Sequence, residues 1–183
     1  MCIKPMVIKI NLPKTIQNLA LIDLEFDTQS NVSYQFAAIK LHKIDSQNNL
    51  FKIVESINVY CKDEEDSFLQ NKGLSREEYN NQIKQFLNDV DTIAAHNLRM
   101  DNHFIAAITD KPFQKICTYQ LAKRVLSRNN NLSLPIIAKE CMYSLPEFEQ
   151  HNAYNDVRAL LWVISYLTNK TKGDNYEIFK YTE

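Results

Sequence analysis

The stretch LALIDLEFDTQ, residues 19–29, constrains the fold more than any other part of the chain. Apolar residues alternate in it with acids at Asp23, Glu25 and Asp27, a pattern typical of a β-strand. Because residues two apart in a strand share a face, the three carboxylates lie on one side and the apolar side chains on the other. Two interpretations remain open at this point. The acids belong either to the solvated face of a half-exposed strand, or to a platform that shares a hard cation such as Mg²⁺.

The totals favour one globular domain. The chain has 183 residues, 45% of them hydrophobic and 23% charged, with a net charge of −1. Proteins that hold nucleic acid by phosphate neutralisation alone are usually basic, so contact with nucleic acid is expected to be transient or to use bound metal. There is no long apolar run and no secretory signal pattern, which predicts that the protein does not enter a membrane. Four cysteines without a CxxC pair favour reduced thiols and a cytoplasmic protein.

The order of patterns predicts an α/β fold. Three strands joined by short links predict an antiparallel meander, and strands alternate with helices after it, which indicates a mixed sheet flanked by helices. The predicted strands cover residues 18–26, 33–44, 50–60, 91–96 and 115–119. The predicted helices cover residues 74–90, 98–110, 120–128, 134–142 and 153–168. The predicted organisation is an N-terminal extension at 1–17, a domain at 18–168 and a C-terminal tail at 169–183.

A fourth acid, Asp101, lies on the apolar face of a predicted helix. It is three and four residues before Phe104 and Ile105, at the spacing that places side chains on one helix face. A carboxylate that faces the protein body is unfavourable unless something compensates its charge. The alternative is an ordinary acid in the first turn, favoured by the helix dipole. Asn97 is predicted to cap this helix.

A fifth acid, Asp156, lies on the last predicted helix in the same row as Leu160 and Leu167. His151 precedes it by five residues, and on one continuous helix the two side chains would diverge by roughly 140°. They converge only if His151 lies on the loop before the helix, with Asn152 near the cap. The alternative for His151 is a surface histidine at a helix start.

Four of these carboxylates would repel one another if the fold gathered them. Two divalent cations would offset their charge, and a pair of cations is a common apparatus for hydrolysing phosphodiesters. A histidine near pKa 6.5 is largely neutral at pH 7 and is able to accept the proton of an attacking water. The set consists of Asp23, Glu25, Asp101 and Asp156, with His151.

Three segments that carry these residues resemble a known family. The segments DLEFD, HNLRMD and HNAYND resemble the motifs Asp-x-Glu, His-Asn-x-x-Phe-Asp and His-x4-Asp of the DEDDh exonucleases, the DnaQ-like or ribonuclease T-like group. They occur in the family's order, and the resemblance runs from about residue 18 to residue 168. The segments ICTYQLAKRVL and LSLPIIAKE are similar to the stretch between the second and third motifs.

The resemblance implies a ribonuclease H-like fold and 3′→5′ exonuclease activity on single-stranded RNA or DNA, with release of nucleoside 5′-monophosphates. It implies that two Mg²⁺ or Mn²⁺ ions bind to Asp23, Glu25, Asp101 and Asp156. It implies that His151 is the general base and that the 3′-terminal nucleotide is bound by Phe26, His96 and Met100. The first motif lacks the family's glycine and Met100 replaces the usual Phe, which bears on the nucleotide pocket and so on the preferred sugar.

Two further hypotheses remain. The first is a catalytically weak module that binds nucleic acid, or a polymerase-associated proofreading subunit of the same fold. The second is a related metallohydrolase that cuts internally, which His151 and the order of the motifs argue against. The predicted partners are single-stranded 3′ ends, with a homodimer or a polymerase as further candidates and no membrane.

Overall fold

The structure, a computed structural model, describes residues 6–27, 32–62, 67–143 and 152–171, and of residues 67–69 only the backbone. It contains six strands and six helices within these ranges. The strands are β1 Val7–Lys9, β2 Asn18–Phe26, β3 Ser33–Asp45, β4 Leu50–Tyr60, β5 Thr92–Ala95 and β6 Gln114–Cys117. The helices are α1 Ser67–Lys72, α2 Arg76–Leu87, α3 Arg99–Ile108, α4 Thr118–Val125, α5 Leu134–Glu140 and α6 Ala153–Lys170.

The strands form one mixed sheet in the order β1-β4-β3-β2-β5-β6. The predicted meander is confirmed, because β2, β3 and β4 pair antiparallel in sequence order. Strand β5 then pairs parallel with β2, and β6 pairs parallel with β5. The carboxyl ends of β2 and β5 therefore meet at one edge of the sheet, where the first two motifs lie.

Helices cover both faces of this sheet, and the alternation along β2 sends its side chains to two different cores. Leu19 and Leu21 pack on the face covered by α4, α5 and α6. Ile22 and Leu24 pack on the other face, against α2 and α3. Since side chains two apart share a face, Asp23 and Glu25 continue the row of Leu19 and Leu21 and lie on the α6 side.

Helix α2 begins where the sequence predicts. Ser75 accepts a hydrogen bond from the backbone N–H of Glu78, and the Glu78 carboxylate accepts one from the backbone N–H of Ser75. This is the predicted capping box, and it satisfies two backbone donors at once. Tyr79 and Ile83 of the same helix are fully buried.

Three features differ from the sequence prediction. Strand β1 was not predicted, because its three residues are too few for an alternation to stand out; it pairs with β4, and Ile8 enters the core. Helix α1 was likewise not predicted. The predicted cap by Asn97 is wrong: Leu98 is the N-cap, no side chain caps the helix, and Asn97 adopts a φ of 61°. Asparagine tolerates this left-handed conformation better than most residues. Asn97 therefore contributes its backbone conformation to the turn between β5 and α3, and its side chain does not cap the helix.

None of the described helices has both the length and the apolar character that a membrane crossing would require.

Candidate active site

Three of the predicted metal ligands lie together at the end of β2. Asp23 and Glu25 reach the cluster from β2, and Asp156 reaches it from the first turn of α6. One carboxylate oxygen from each lies within 4.8 Å of the other two. All three side chains are partly exposed, so the group is open to ions from solution. This is a set of hard oxygen donors of the kind that Mg²⁺ and Mn²⁺ prefer.

Asp101 lies behind this group and is only 6% exposed, as its position on the apolar stripe of α3 predicts. It is not one of the three acids within 4.8 Å of one another, and its carboxylate accepts hydrogen bonds from the backbone N–H groups of Leu24 and of Asp101 itself. The pKa of Asp101 is raised to about 7: burial is the largest cause, the two hydrogen bonds oppose the shift, and the charge of Glu25 adds to it.

The electrostatic state of Asp23 ties the four acids together. Burial raises the pKa of Asp23 well above its usual range, and the charges of Asp101, Asp156 and Glu25 add to the shift in that order. The three charged neighbours that raise this pKa are themselves carboxylates. Such an arrangement disfavours the ionised form unless positive charge is brought in, and a divalent cation would fit both the donor set and this charge.

The cluster lines an open cleft with a volume of about 640 Å³, a size typical of sites for small ligands. The cleft is also lined by His96, by Tyr119 at the start of α4, and by Leu134 and Pro135 at the start of α5. Tyr119 is 36% exposed although it is a large aromatic side chain. One wall of the cleft is thus apolar and aromatic beside the acids.

The imidazole of His96 is held on both sides. Its Nε2 lies 2.9 Å from the carbonyl oxygen of Leu132, which only accepts, so Nε2 carries the hydrogen. Its Nδ1 lies 3.0 Å from the hydroxyl oxygen of Thr118. Burial lowers the pKa of His96 to about 4, so the ring is neutral at pH 7. The edge of this ring meets Tyr119, with centroids 5.8 Å apart.

The structure separates the other two predicted nucleotide contacts from His96. Phe26 lies on the α3 side of β2 and packs edge-to-face on Phe104, with centroids 6.3 Å apart. Met100, in the first turn of α3, is 45% exposed. Neither side chain lines the cleft that contains His96 and the acid cluster.

The predicted general base His151 lies outside the described residues. The residue after it is described: Asn152 is the N-cap of α6, as predicted, and its side chain accepts a hydrogen bond from the backbone N–H of Tyr154 at 3.2 Å. The first turn of α6, which carries Asp156, is thereby fixed.

Sequence reasoning missed two residues at this site. Tyr119 gave no signal, because an aromatic residue at the start of a helix is usually core. Gln35 gave none either, yet this buried side chain contacts the start of α6. Only the pairing of β3 with β2 places Gln35 beside the acids, and strand register between distant segments is not visible in a sequence pattern.

No protein-family model matches the chain, and no curated protein matches it by sequence. Solved structures do match. Exonuclease X, in complex with 5′-overhanging duplex DNA, matches with a TM-score of 0.60 and 16% identity over 88% of this chain and 96% of its own. The nuclease domain of 3′hExo, a DEDDh family member bound to rAMP, matches with a TM-score of 0.63 and 9% identity over 85% and 93%. A 3′-exonuclease that recognises the 3′ end of a histone mRNA stem-loop matches with a TM-score of 0.57 and 8% identity over 84% and 82%. The chain thus has the ribonuclease H-like fold of the DEDDh exonucleases, which confirms the predicted fold.

Proposed function

We propose that the protein is a metal-dependent 3′→5′ exonuclease that degrades single-stranded RNA or DNA to nucleoside 5′-monophosphates. The observation that carries the proposal is the acid cluster. Asp23, Glu25 and Asp156 converge within 4.8 Å from two distant segments, and Asp101 adds charge from behind. Cations bound at this cluster would offset the repulsion among the four acids.

The proposed cations are two Mg²⁺ or Mn²⁺ ions held by Asp23, Glu25, Asp101 and Asp156. Bound cations would supply charge stabilisation for an in-line displacement at phosphorus and would lower the pKa of a water molecule. The raised pKa values of Asp23 and Asp101 support this assignment, since bound positive charge would return both carboxyls to the ionised form.

The other roles fall to side chains around the cluster. His151 is proposed to accept the proton of the attacking water, which a neutral imidazole does at pH 7. Phe26, His96 and Met100 are proposed to bind the terminal nucleotide. Both ring nitrogens of His96 are already engaged, so its contribution would be ring contact and not a new hydrogen bond. Tyr119 offers a face on which a base could stack.

A single strand is the proposed substrate because stacking on an aromatic side chain needs a base that is not paired. The structural neighbours include one protein with DNA and one with an RNA stem-loop, so both sugars belong in the test. The 2′-hydroxyl is recognised by details of the pocket, and the departures from the family pattern fall there.

The test is a time course on single-stranded RNA and DNA labelled at the 5′ end, with Mg²⁺, Mn²⁺ or EDTA. Wild type is compared with Asp23→Ala and with a matched control, Asp89→Asn, which alters an acid on the other face of the sheet. A circular single strand, which has no 3′ end, runs in parallel. A ladder that shortens from the 3′ end, absent with EDTA and in Asp23→Ala but present in Asp89→Asn, is expected.

Three other results would contradict the proposal in different ways. Cutting of the circle would indicate an endonuclease. A ladder that persists in Asp23→Ala would place the chemistry elsewhere. Strand binding without turnover in wild type, with either metal, would support the binding module in its place.

A further inference from the structure

Gln35 is a buried polar residue that the proposed chemistry does not use. It lies on β3, directly opposite Glu25 in the pairing of β2 with β3. Directly opposed residues of an antiparallel pair point to the same face, so the Gln35 side chain lies on the α6 side of the sheet, beside the acids. It is 2% exposed.

Its side-chain amide connects the sheet to the start of α6. Oε1 accepts a hydrogen bond from the backbone N–H of Ala153 at 3.3 Å. Nε2 donates to Asn58 at 2.9 Å and to the Tyr60 hydroxyl at 3.1 Å, and lies 3.5 Å from Oδ1 of Asn152. A backbone N–H only donates, so the Ala153 contact fixes which end of the amide faces the helix.

This contact completes the cap of α6. The first N–H groups of a helix have no partner within it. Asn152 satisfies the N–H of Tyr154 with its side chain and that of Asp156 with its carbonyl oxygen, at 3.0 Å. The same carbonyl oxygen accepts from the N–H of Asn155 at 2.9 Å, and Gln35 satisfies the remaining donor, that of Ala153, which is fully buried. Gln35 thus connects the first turn of α6 to β3, the strand that pairs with β2, and β2 carries Asp23 and Glu25.

We infer that Gln35 is the positioning residue of the cation site: it holds the first turn of α6 so that Asp156 meets Asp23 and Glu25. The inference rests on the proposed function only in taking these acids as cation ligands. The same contact fixes Asn152, the residue that follows His151. Gln35 is not among the residues that line the cleft, so it acts through α6 and not on the substrate.

The test is Gln35→Met, which keeps the length and apolar volume of the side chain and removes its hydrogen bonds. The matched control is Lys40→Met, on the same strand. Lys40 is also buried and also makes side-chain hydrogen bonds, in its case two, to Glu55 on β4 and to Asp89 just after α2. Both variants lose buried polar contacts, and only one of them loses the contact with α6.

The measurements are Mn²⁺ binding by calorimetry, the rise in melting temperature with Mn²⁺, and kcat and KM on a single strand. Loss of groups that orient metal ligands commonly weakens metal binding or activity by about 10- to 100-fold. Gln35→Met is expected to weaken Mn²⁺ binding and lower kcat by roughly 10-fold, with KM within about twofold of wild type. Lys40→Met is expected to melt earlier without either change.

Mn²⁺ binding in Gln35→Met equal to wild type overturns the inference, and so does an equal weakening in Lys40→Met. If Gln35→Met does not fold, Tyr60→Phe takes its place, because it removes the hydroxyl that accepts a hydrogen bond from Gln35 Nε2 at 3.1 Å. A smaller weakening of Mn²⁺ binding is expected from Tyr60→Phe. Failure of the proposed function is distinct: wild type would then bind Mn²⁺ without degrading strands, and the comparison of Mn²⁺ binding between wild type and Gln35→Met would still decide the inference.

Discussion

Two groups of acids lie on opposite faces of the same sheet, and the fold treats them differently. Glu55 and Asp89 lie 2.8 and 2.7 Å from the buried ammonium of Lys40, which also stacks on the ring of Phe86. The hydrogen bond from Lys40 lowers the pKa of Asp89. On the other face, burial and three neighbouring carboxylates raise the pKa of Asp23. Lys40 neutralises the first group, whereas the three charged neighbours that raise the pKa of Asp23 are carboxylates.

This difference separates a structural role from a functional one. Lys40, on β3, donates hydrogen bonds to Glu55 and to Asp89, which lies just after α2. The positive charge that neutralises these two acids is thus part of the protein itself. Acids whose neighbours are acids make the fold less stable unless cations from solution bind between them. The acids around Asp23 therefore lower the stability of the fold when no cation is bound, whereas the acids around Lys40 do not. A loss of stability of this kind is common at functional sites.

The largest expected effect concerns the proposed general base, His151. His151→Gln replaces the imidazole by a neutral side chain that does not accept a proton at pH 7. Loss of a general base commonly lowers turnover by about 10²- to 10⁴-fold, and kcat is expected to fall within this range while Mn²⁺ binding and the free energy of unfolding stay close to wild type. Single-turnover kinetics and calorimetry measure the two quantities. Weakened Mn²⁺ binding would instead make His151 part of the cation site.

The next effect is the loss of folding stability at low pH, and its direction follows from the lowered pKa of His96. Its pKa is about 4 in the folded protein and near 6.5 when unfolded. Between these values the unfolded state binds more protons, so the stability is complete above pH 6.5 and is lost as the pH falls towards 4. Wild type is expected to lose up to about 3 kcal/mol more than His96→Gln over this interval. Urea unfolding at several pH values in EDTA measures the difference, and parallel curves would refute it.

The contribution of Asp101 to the free energy of unfolding has the opposite dependence on pH. Its pKa is about 7 when folded, against 3.8 for an unperturbed aspartate, so the folded state holds a proton that the unfolded state releases. Without metal, stability is expected to fall as the pH rises through this window, and Mg²⁺ or Mn²⁺ is expected to restore it at pH 7. The comparison of wild type with His96→Gln at each pH removes this contribution, since both proteins contain Asp101.

A pair of substitutions tests the comparison itself. Asp23→Asn removes a carboxyl whose ionisation is disfavoured in the folded protein by burial and by three neighbouring carboxylates. In EDTA at pH 7 it is expected to raise the free energy of unfolding by about 0.5–2 kcal/mol. Lys40→Met removes hydrogen bonds to charged partners and is expected to lower it by about 1.5–3 kcal/mol. Urea unfolding of both variants beside wild type is the measurement. Two shifts of the same sign would show that the clusters do not differ in the way proposed.

The sequence predicted the parts of this molecule whose signal is local. The strand with Asp23 and Glu25, the capped helix α2 and the buried Asp101 on α3 all follow from periodicity, and each is where its pattern indicates. The resemblance of the three motifs to those of the DEDDh exonucleases also implied the ribonuclease H-like fold, which the structure has. What escaped depends on contacts between distant segments. Gln35 is an ordinary strand residue until β3 pairs with β2 and α6 packs on both.

The smallest expected effect lies on the cleft wall, where the acids end and an aromatic surface begins. Tyr119 is partly exposed, lines the same cleft as Asp23 and Asp156, and is held edge-on by the fixed ring of His96. A base that stacks on an aromatic side chain commonly contributes about 1–3 kcal/mol to binding. Tyr119→Ala is therefore expected to raise KM for a single strand by roughly 10-fold, with Mn²⁺ binding unchanged because the carboxylates are untouched. Tyr119→Phe, which keeps the ring, is the control and is expected to behave as wild type. A fall in kcat at unchanged KM would instead place Tyr119 with the residues that orient the acids, and the cleft wall would then belong to the metal site and not to the strand.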